Sequence, residues 1–140
     1  MTFTNSMKLT IDAKSENESF ARSVVAAFFI QLNPTLEQVE DIKTAVSEAV
    51  TNCIVHGYES AQQGQIDIVC KLAGDTMFVE ISDFGKGIDN VEQAMRPFYT
   101  TVSTGERSGM GFTVMQAFCD SVEVDSKQGL TTVKLTKKVS

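Results

Sequence analysis

The chain has 140 residues, of which 42% are hydrophobic and 21% are charged, and its formal net charge is −6. This length and composition are typical of one globular domain, and we expect residues 1–140 to form it. The acidic balance argues against binding along a nucleic-acid backbone, which requires clusters of basic residues. The sequence has no apolar run near the ~20 residues of a membrane span and no signal-peptide pattern, so we expect a cytoplasmic protein without membrane contact.

The three cysteines, Cys53, Cys70 and Cys119, are widely spaced and lie among apolar residues. Their number is odd, and their spacing does not match that of a zinc site. We therefore expect them to be reduced core residues and not a disulfide framework.

The first two elements are predicted from apolar spacing and a capping pattern. A strand with one buried face is predicted by four apolar residues that alternate with polar ones: Met7, Leu9, Ile11 and Ala13. Ser15 and Glu18 have the spacing of a capping box, which would open a helix. That helix would end near Asn33-Pro34 and pass through Phe20, Val24, Ala27 and Phe28.

The next helix is predicted over residues 36–57, with Thr35 as its cap and Gly57 as a left-handed residue that stops it. Glu48 and Asn52 lie one turn apart on a flank that is separate from the apolar stripe. A carboxylate and an amide so placed can share a hydrated cation, or one can bind metal while the other accepts a proton. A solvated helix face is the alternative. The apolar stripe itself consists of Leu36, Val39, Ile42, Val46, Ala49, Val50, Cys53 and Ile54.

Two further strands should form a hairpin around the turn Gly74-Asp75. Their alternating apolar residues are Ile66, Ile68, Cys70 and Leu72 in one and Met77, Val79 and Ile81 in the other. Asp83 continues the phase of the second strand, so its carboxylate should point toward the core, where a lone charge is unfavourable. It could instead cap the following turn through backbone N–H groups. Gly85 and Gly87 allow a ligand close to this turn, and a buried acid there suits an amino-purine donor.

Two well-known phosphate-binding patterns are excluded. Asp83-Phe84-Gly85 matches the magnesium-binding triplet of eukaryotic protein kinases, but the chain contains no His-Arg-Asp loop and is about half the necessary length. The glycine-rich pattern of P-loop enzymes, which ends in Lys followed by Ser or Thr, is also missing.

The remainder of the chain is predicted to be a short helix that starts at Asn90, passes through Val91 and Met95 and is broken by Pro97, followed by an aperiodic loop over residues 99–108, a helix and two closing strands. A loop of this kind is typical of a lid, and Arg107 is its only cation. Gly109-Met110-Gly111 opens the helix, where free backbone N–H groups favour an anion. One strand contains Val122 and Val124, the other contains Leu130 or Thr131 with Val133 and Leu135, and they are joined at residues 127–129.

Together these motifs resemble the GHKL superfamily, whose members include gyrase, MutL and the histidine kinases. Residues 48–52 resemble its N box, residues 83–87 its first glycine box and residues 109–111 its second. Four longer segments, residues 15–22, 47–52, 56–58 and 107–113, resemble the anti-sigma F family of sporulating bacteria. The resemblance covers nearly the whole chain, and it implies an α+β fold: a two-layer sandwich with a mixed, mostly antiparallel sheet and helices on one face.

The resemblance also implies an ATP/ADP site with Mg²⁺. Asp83 would accept the adenine amino group, Gly85 and Gly87 would let the backbone approach the base, and Asn52 would bind the metal. Glu48 would be the general base that activates a serine hydroxyl of a protein substrate. Further nucleotide contacts are implied for Thr100, Thr101, Arg107, Ser108, Gly109, Met110, Gly111 and Thr132.

The activity that the resemblance implies is that of a serine kinase and anti-sigma factor. It would form a homodimer, inhibit a sigma factor, and phosphorylate an anti-anti-sigma protein, with Arg22 in contact with both partners. An anti-sigma B type of stress kinase, a nucleotide-gated binding module without transfer, and a detached ATPase domain of another GHKL machine are the alternatives. His56 is interpreted as helix-end packing and not as a phosphate acceptor, because no helix pair with a target histidine precedes the domain.

Overall fold

In a computed structural model, the described residues are 2–58, 64–85, 95 and 111–140. They form five strands: β1 (Asn5–Asp12), β2 (Gln65–Ala73), β3 (Thr76–Asp83), β4 (Ser121–Lys127) and β5 (Leu130–Lys138). Three α-helices accompany them: α1 (Glu16–Phe29), α2 (Leu36–Asn52) and α3 (Gly111–Phe118). A 3₁₀ turn at Ile30–Leu32 follows α1, and a π-helical turn at Cys53–Gly57 extends α2. No described helix is long and apolar enough to cross a membrane.

The strands form one sheet in the order β1-β2-β3-β5-β4. Its buried face is covered by helices, as the two-layer α+β prediction requires. The expectation of a mixed sheet is wrong for the described residues, because all four strand pairings are antiparallel. Tight hairpins explain two of these pairings, since Gly74 and Gly129 have positive φ angles of 59° and 88° at the predicted turns.

The core lies between the sheet and one face of α2. Ile42, Val46 and Val50, spaced by one turn, are fully buried there. Leu36, which the predicted stripe included, is 77% exposed, because the buried face begins only after the first turn of the helix. All three cysteines are free, and burial raises the pKa of Cys70 and Cys119 to about 12. Both thiols therefore stay protonated at neutral pH, as expected of reduced structural residues.

The start of α1 differs from the prediction. Ser15 has helical backbone angles and makes no side-chain cap hydrogen bond, so the capping box is absent. The reason is that the Glu18 carboxylate is engaged elsewhere: it accepts a hydrogen bond from Ser47 of α2 and lies 3.5 Å from an Arg22 nitrogen. Phe20 is 53% exposed, and the buried face of α1 consists instead of Ala21, Val25, Ala26 and Phe29.

By contrast, the cap at the start of α2 forms as predicted. The Gln38 backbone N–H donates to Thr35 Oγ1 at 3.1 Å, and the Thr35 N–H donates to Gln38 Oε1 at 2.8 Å. This reciprocal pair satisfies two backbone donors that a helix start otherwise leaves open. The preceding turn also ends as expected, since Asn33 adopts a left-handed conformation with φ 54°.

These two helix starts yield a matched prediction. Thr35→Ala should lower the free energy of unfolding by about 1 kcal/mol, because it removes a formed cap. Ser15→Ala should change it by less than about 0.5 kcal/mol, because no cap bond is lost. Urea unfolding followed by circular dichroism measures both, and an equal loss in the two variants would contradict the cap assignment.

Candidate functional site

Asp83, the last residue of β3, carries a buried carboxylate. The residue is 4% exposed, and burial is the largest of the effects that raise the pKa of this carboxyl above its usual range. Asp83 Oδ1 accepts a hydrogen bond from the Gly85 N–H at 3.0 Å, which opposes that rise. The two interpretations of the sequence therefore hold together, since Asp83 faces the core side and also caps the turn that follows it.

Two glycines make room for this carboxylate. A Cβ on Gly57 would lie 2.7 Å from Asp83 Oδ1, and a Cβ on Gly85 would lie 2.0 Å from the Gly57 carbonyl oxygen. Gly57 is not among the residues with positive φ, so the predicted left-handed helix stop is wrong. Space, and not backbone conformation, requires glycine at this position.

The π-helical turn at the end of α2 supplies a further contact to Asp83. It contains Cys53, whose side chain is hydrogen-bonded to the Asp83 carboxylate. Burial and the neighbouring carboxylate raise the pKa of Cys53, so the protonated thiol is the donor. The Tyr58 N–H closes the turn by donating to the Cys53 carbonyl at 3.0 Å. Single π turns of this kind occur often at functional sites. His56 lies in the same turn and is half-buried.

Glu48 and Asn52 lie one turn apart on α2, and both residues are half-buried. The Asn52 amide faces the start of α3, because a Cβ on Gly111 would lie 3.0 Å from Asn52 Nδ2 and 3.1 Å from Oδ1. The structure therefore brings Asn52 and Gly111 together, although 59 residues separate them. At such a place the amide oxygen can bind a metal ion while the backbone N–H groups of the helix N-terminus bind the anion that accompanies it.

Helix α3 is anchored at its other end. Lys137 of β5 donates to the Phe118 carbonyl at 2.6 Å and lies 3.3 Å from Asp41 Oδ2 of α2. Lysine at a helix C-terminus satisfies an open carbonyl and complements the helix dipole. Near the start of α3, Thr113 Oγ1 is buried and has no hydrogen-bond partner among the residues that the structure describes.

The strand register does not bring Thr132 to the Asp83 carboxylate. Thr132 pairs with Ser82, and their hydroxyl oxygens are 2.9 Å apart on the opposite face of the sheet. The residue paired with Asp83 is Thr131, which is 5% exposed and hydrogen-bonded to Ser126. Of the two residues that the alternation left open at the start of this strand, Leu130 and Thr131, the structure places Thr131 on the buried face with Val133.

Arg22 lies on α1 with its side chain 40% exposed and ion-paired to Glu18. The same Glu18 carboxylate accepts from Ser47, the residue before Glu48, so this contact ties α1 to α2 beside the predicted base. The predicted lid lies outside the described residues, and so does the predicted short helix except for Met95. The remaining predicted nucleotide contacts also lie outside them: Gly87, Thr100, Thr101, Arg107, Ser108, Gly109 and Met110.

Among the described residues, no group of three or more His, Cys, Asp or Glu side chains could hold a metal ion. This does not conflict with magnesium at Asn52. Mg²⁺ usually keeps several water ligands and binds through one or two protein oxygens together with phosphate oxygens.

Comparison with known proteins places this geometry in a family. A family model described as histidine kinase-like ATPase domain matches residues 11–137. The chain is 55% identical to an anti-sigma F factor of Thermoanaerobacter pseudethanolicus, covering 99% of this chain and 97% of that protein. It is 53% identical to an anti-sigma F factor of Clostridium beijerinckii, covering 96% and 94% of the two chains.

Solved structures agree on the fold. The RsbU and RsbW domains of a Mycobacterium tuberculosis protein superpose with a TM-score of 0.71 at 22% identity, over 97% of this chain and 33% of that one. The catalytic domain of the histidine kinase ThkA gives a TM-score of 0.62 at 15% identity, over 99% and 97%. With the two sequence relatives and the family model, the finding is plain: the chain belongs to the histidine kinase-like ATPase family and, within it, to the anti-sigma F factors.

Proposed function

We propose that the chain is an ATP-dependent serine kinase that also binds and inhibits a sporulation sigma factor. The observation that carries the nucleotide part is the glycine-lined enclosure of the Asp83 carboxylate, where Cβ atoms on Gly57 and Gly85 would collide with their neighbours. A buried acid bordered by glycines suits recognition of a hydrogen-bond donor on a flat ligand. The adenine amino group is such a donor.

Adenine selection follows from the cost of leaving this acid unpaired. The Asp83 carboxylate accepts from the Gly85 N–H and from the Cys53 thiol, and a carboxylate has further acceptor sites that can take the amino group of the base. A purine with an oxygen at that position would leave a buried acceptor unsatisfied and would bind much more weakly. Thr131, paired with Asp83 in the sheet, supplies a hydroxyl on the same face.

The phosphate groups belong at the start of α3. Asn52 would bind Mg²⁺ through its amide oxygen, and the backbone at Gly111 would face the phosphates, as the contact between these two residues supports. Gly87, Gly109, Met110, Arg107, Ser108, Thr100 and Thr101 are proposed to complete the nucleotide site. Mg²⁺, when bound, neutralises charge on the phosphates.

Glu48 is proposed as the general base. It would accept the proton of a substrate serine while the serine oxygen forms a bond to the terminal phosphorus and the bond to the bridging oxygen of ADP breaks. Its position one turn before Asn52 puts a carboxylate on the same flank as the proposed metal ligand. Most of the catalysis would then come from positioning and charge neutralisation.

The partners are proposed from the relatives, which are named anti-sigma F factors. The chain would hold a sigma factor inactive as a homodimer and would phosphorylate its anti-anti-sigma antagonist, with Arg22 contacting both proteins. Phosphorylation would release the antagonist and let the chain capture sigma again. An anti-sigma B type of partner, or sigma binding gated by nucleotide without phosphoryl transfer, are the alternative functions.

Asp83→Asn should weaken ADP binding about 10- to 100-fold, because a hydrogen bond to a charged group is lost. Isothermal titration calorimetry measures the affinity. Asp67→Asn is the matched control, since Asp67 lies on the opposite face of the sheet and contacts Lys8 and Thr10. Unchanged ADP affinity in Asp83→Asn would remove Asp83 from the nucleotide site.

The same substitution should raise the stability of the nucleotide-free protein at pH 7. The folded-state pKa of Asp83 is raised, so the unfolded chain ionises first as the pH increases, and the contribution of Asp83 to the stability of the wild-type protein falls from about pH 4 upward. Asparagine has no such penalty. Thermal unfolding between about pH 4 and 7 should show a gain for Asp83→Asn that grows with pH, and a gain independent of pH would contradict the assigned cause.

Glu48→Gln should keep ATP affinity within about threefold and reduce phosphoryl transfer by about 10²- to 10⁴-fold, the usual contribution of a general base. Transfer of labelled terminal phosphate from Mg-ATP to an anti-anti-sigma protein measures the rate, beside a sigma-factor pull-down. Glu40→Gln is the control, because Glu40 lies on the same helix with its side chain 62% exposed. Sigma capture that depends on ATP, without any transfer by the wild type, would favour the binding-module alternative.

A further inference from the structure

Tyr58 joins two strands at the point where Asp83 lies. Its hydroxyl donates to the Gln65 carbonyl at 2.7 Å and accepts from the Phe84 N–H at 2.8 Å. Gln65 is the first residue of β2, and Phe84 directly follows the last residue of β3. The single hydroxyl proton and one of its lone pairs are thus both used, and they link the ends of two adjacent strands.

The ring that presents this hydroxyl is held in place. A Cβ on Gly64, whose φ is +105°, would lie 2.6 Å from Tyr58 Cε1, so glycine lets the backbone pass against the ring. The ring also packs against the hydrophobic core. Burial raises the pKa of the Tyr58 phenol above its usual range, so the hydroxyl stays protonated at neutral pH and can donate.

The π-helical turn determines the position of the Tyr58 backbone, and therefore the place from which its side chain extends. Because the Tyr58 N–H bonds the Cys53 carbonyl five residues earlier, Cys53, Gly57 and Tyr58 all reach the turn formed by Asp83, Phe84 and Gly85. Cys53 contacts the carboxylate, Gly57 gives it space, and Tyr58 holds the following peptide. Each of the three contacts constrains a different part of this turn.

We propose that Tyr58 is a positioning residue for adenine recognition: by bonding the Phe84 N–H it fixes the turn that aims the Asp83 carboxylate at the base. This inference rests on the proposed nucleotide binding and deepens it. Phe84 is 52% exposed, so water can replace the hydroxyl as the partner of its N–H without much loss of stability. Removal of the hydroxyl should therefore change the orientation of the Asp83 carboxylate more than it changes the stability of the fold.

Tyr58→Phe removes the hydroxyl and keeps the ring. Hydrogen exchange measured by NMR on the nucleotide-free protein should show faster exchange of the Phe84 amide than in the wild type. The ADP affinity should fall about five- to tenfold, because the hydrogen bond between the adenine amino group and a less well-positioned Asp83 carboxylate is weaker. The affinity for IDP, which has an oxygen in place of the amino group, should stay within about twofold, so discrimination between the two nucleotides decreases.

Thr10→Val is the control for loss of a hydroxyl, because Thr10 bonds Asp67 on the open face of the sheet. It should leave the Phe84 amide and both affinities unchanged. Unchanged ADP affinity in Tyr58→Phe, or an equal loss for ADP and IDP, would overturn the positioning role, since the second result indicates a general disturbance of the site. Failure of the wild-type protein to bind ADP would instead overturn the proposed function, and this inference with it.

Discussion

The burial of the Asp83 carboxylate is the constraint on which the rest of the site depends. A charge at the end of an apolar strand is unfavourable unless donors surround it, and here the donors are the Gly85 N–H and the Cys53 thiol. A side chain on Gly57 would collide with the carboxylate and displace it from this position. The sheet therefore determines the position of the Asp83 carboxylate. The turn at the end of α2 provides the space and one of the hydrogen-bond donors that this position requires.

Helix α2 connects the parts of the proposed reaction. Asn52 on its last turn lies beside Gly111 in the proposed phosphate region, Glu48 lies one turn earlier, and the π turn that continues the helix contacts the proposed adenine region. Both regions are therefore positioned by one rigid element whose apolar face is the centre of the core. A binding site assembled in this way needs few contacts from loops to fix the distance between base and phosphate.

Local patterns predicted the strands, the hairpins and the burial of Asp83, because period-two alternation and turn glycines act within a few residues. Features that arise from contacts between segments far apart in the chain could not be predicted from these local patterns. The Glu18 side chain does not form the predicted capping box because it is hydrogen-bonded to Ser47 of another helix. Glycine is required at position 57 because the Asp83 carboxylate, 26 residues later in the chain, lies against it. Tyr58 was missed for the same cause, since its two partners become neighbours only when β2 and β3 pair.

The anchoring of α3 has a mechanical consequence. Lys137 holds the Phe118 end of this helix to β5 and to Asp41, while the Gly111 end lies against the Asn52 side chain. Any displacement of α3 that accompanies exchange of one nucleotide for another would then be a swing about a fixed pivot. The motion would be largest at the Gly111 end, so a small change at the phosphates would be transmitted to the Asn52 side chain that lies against it.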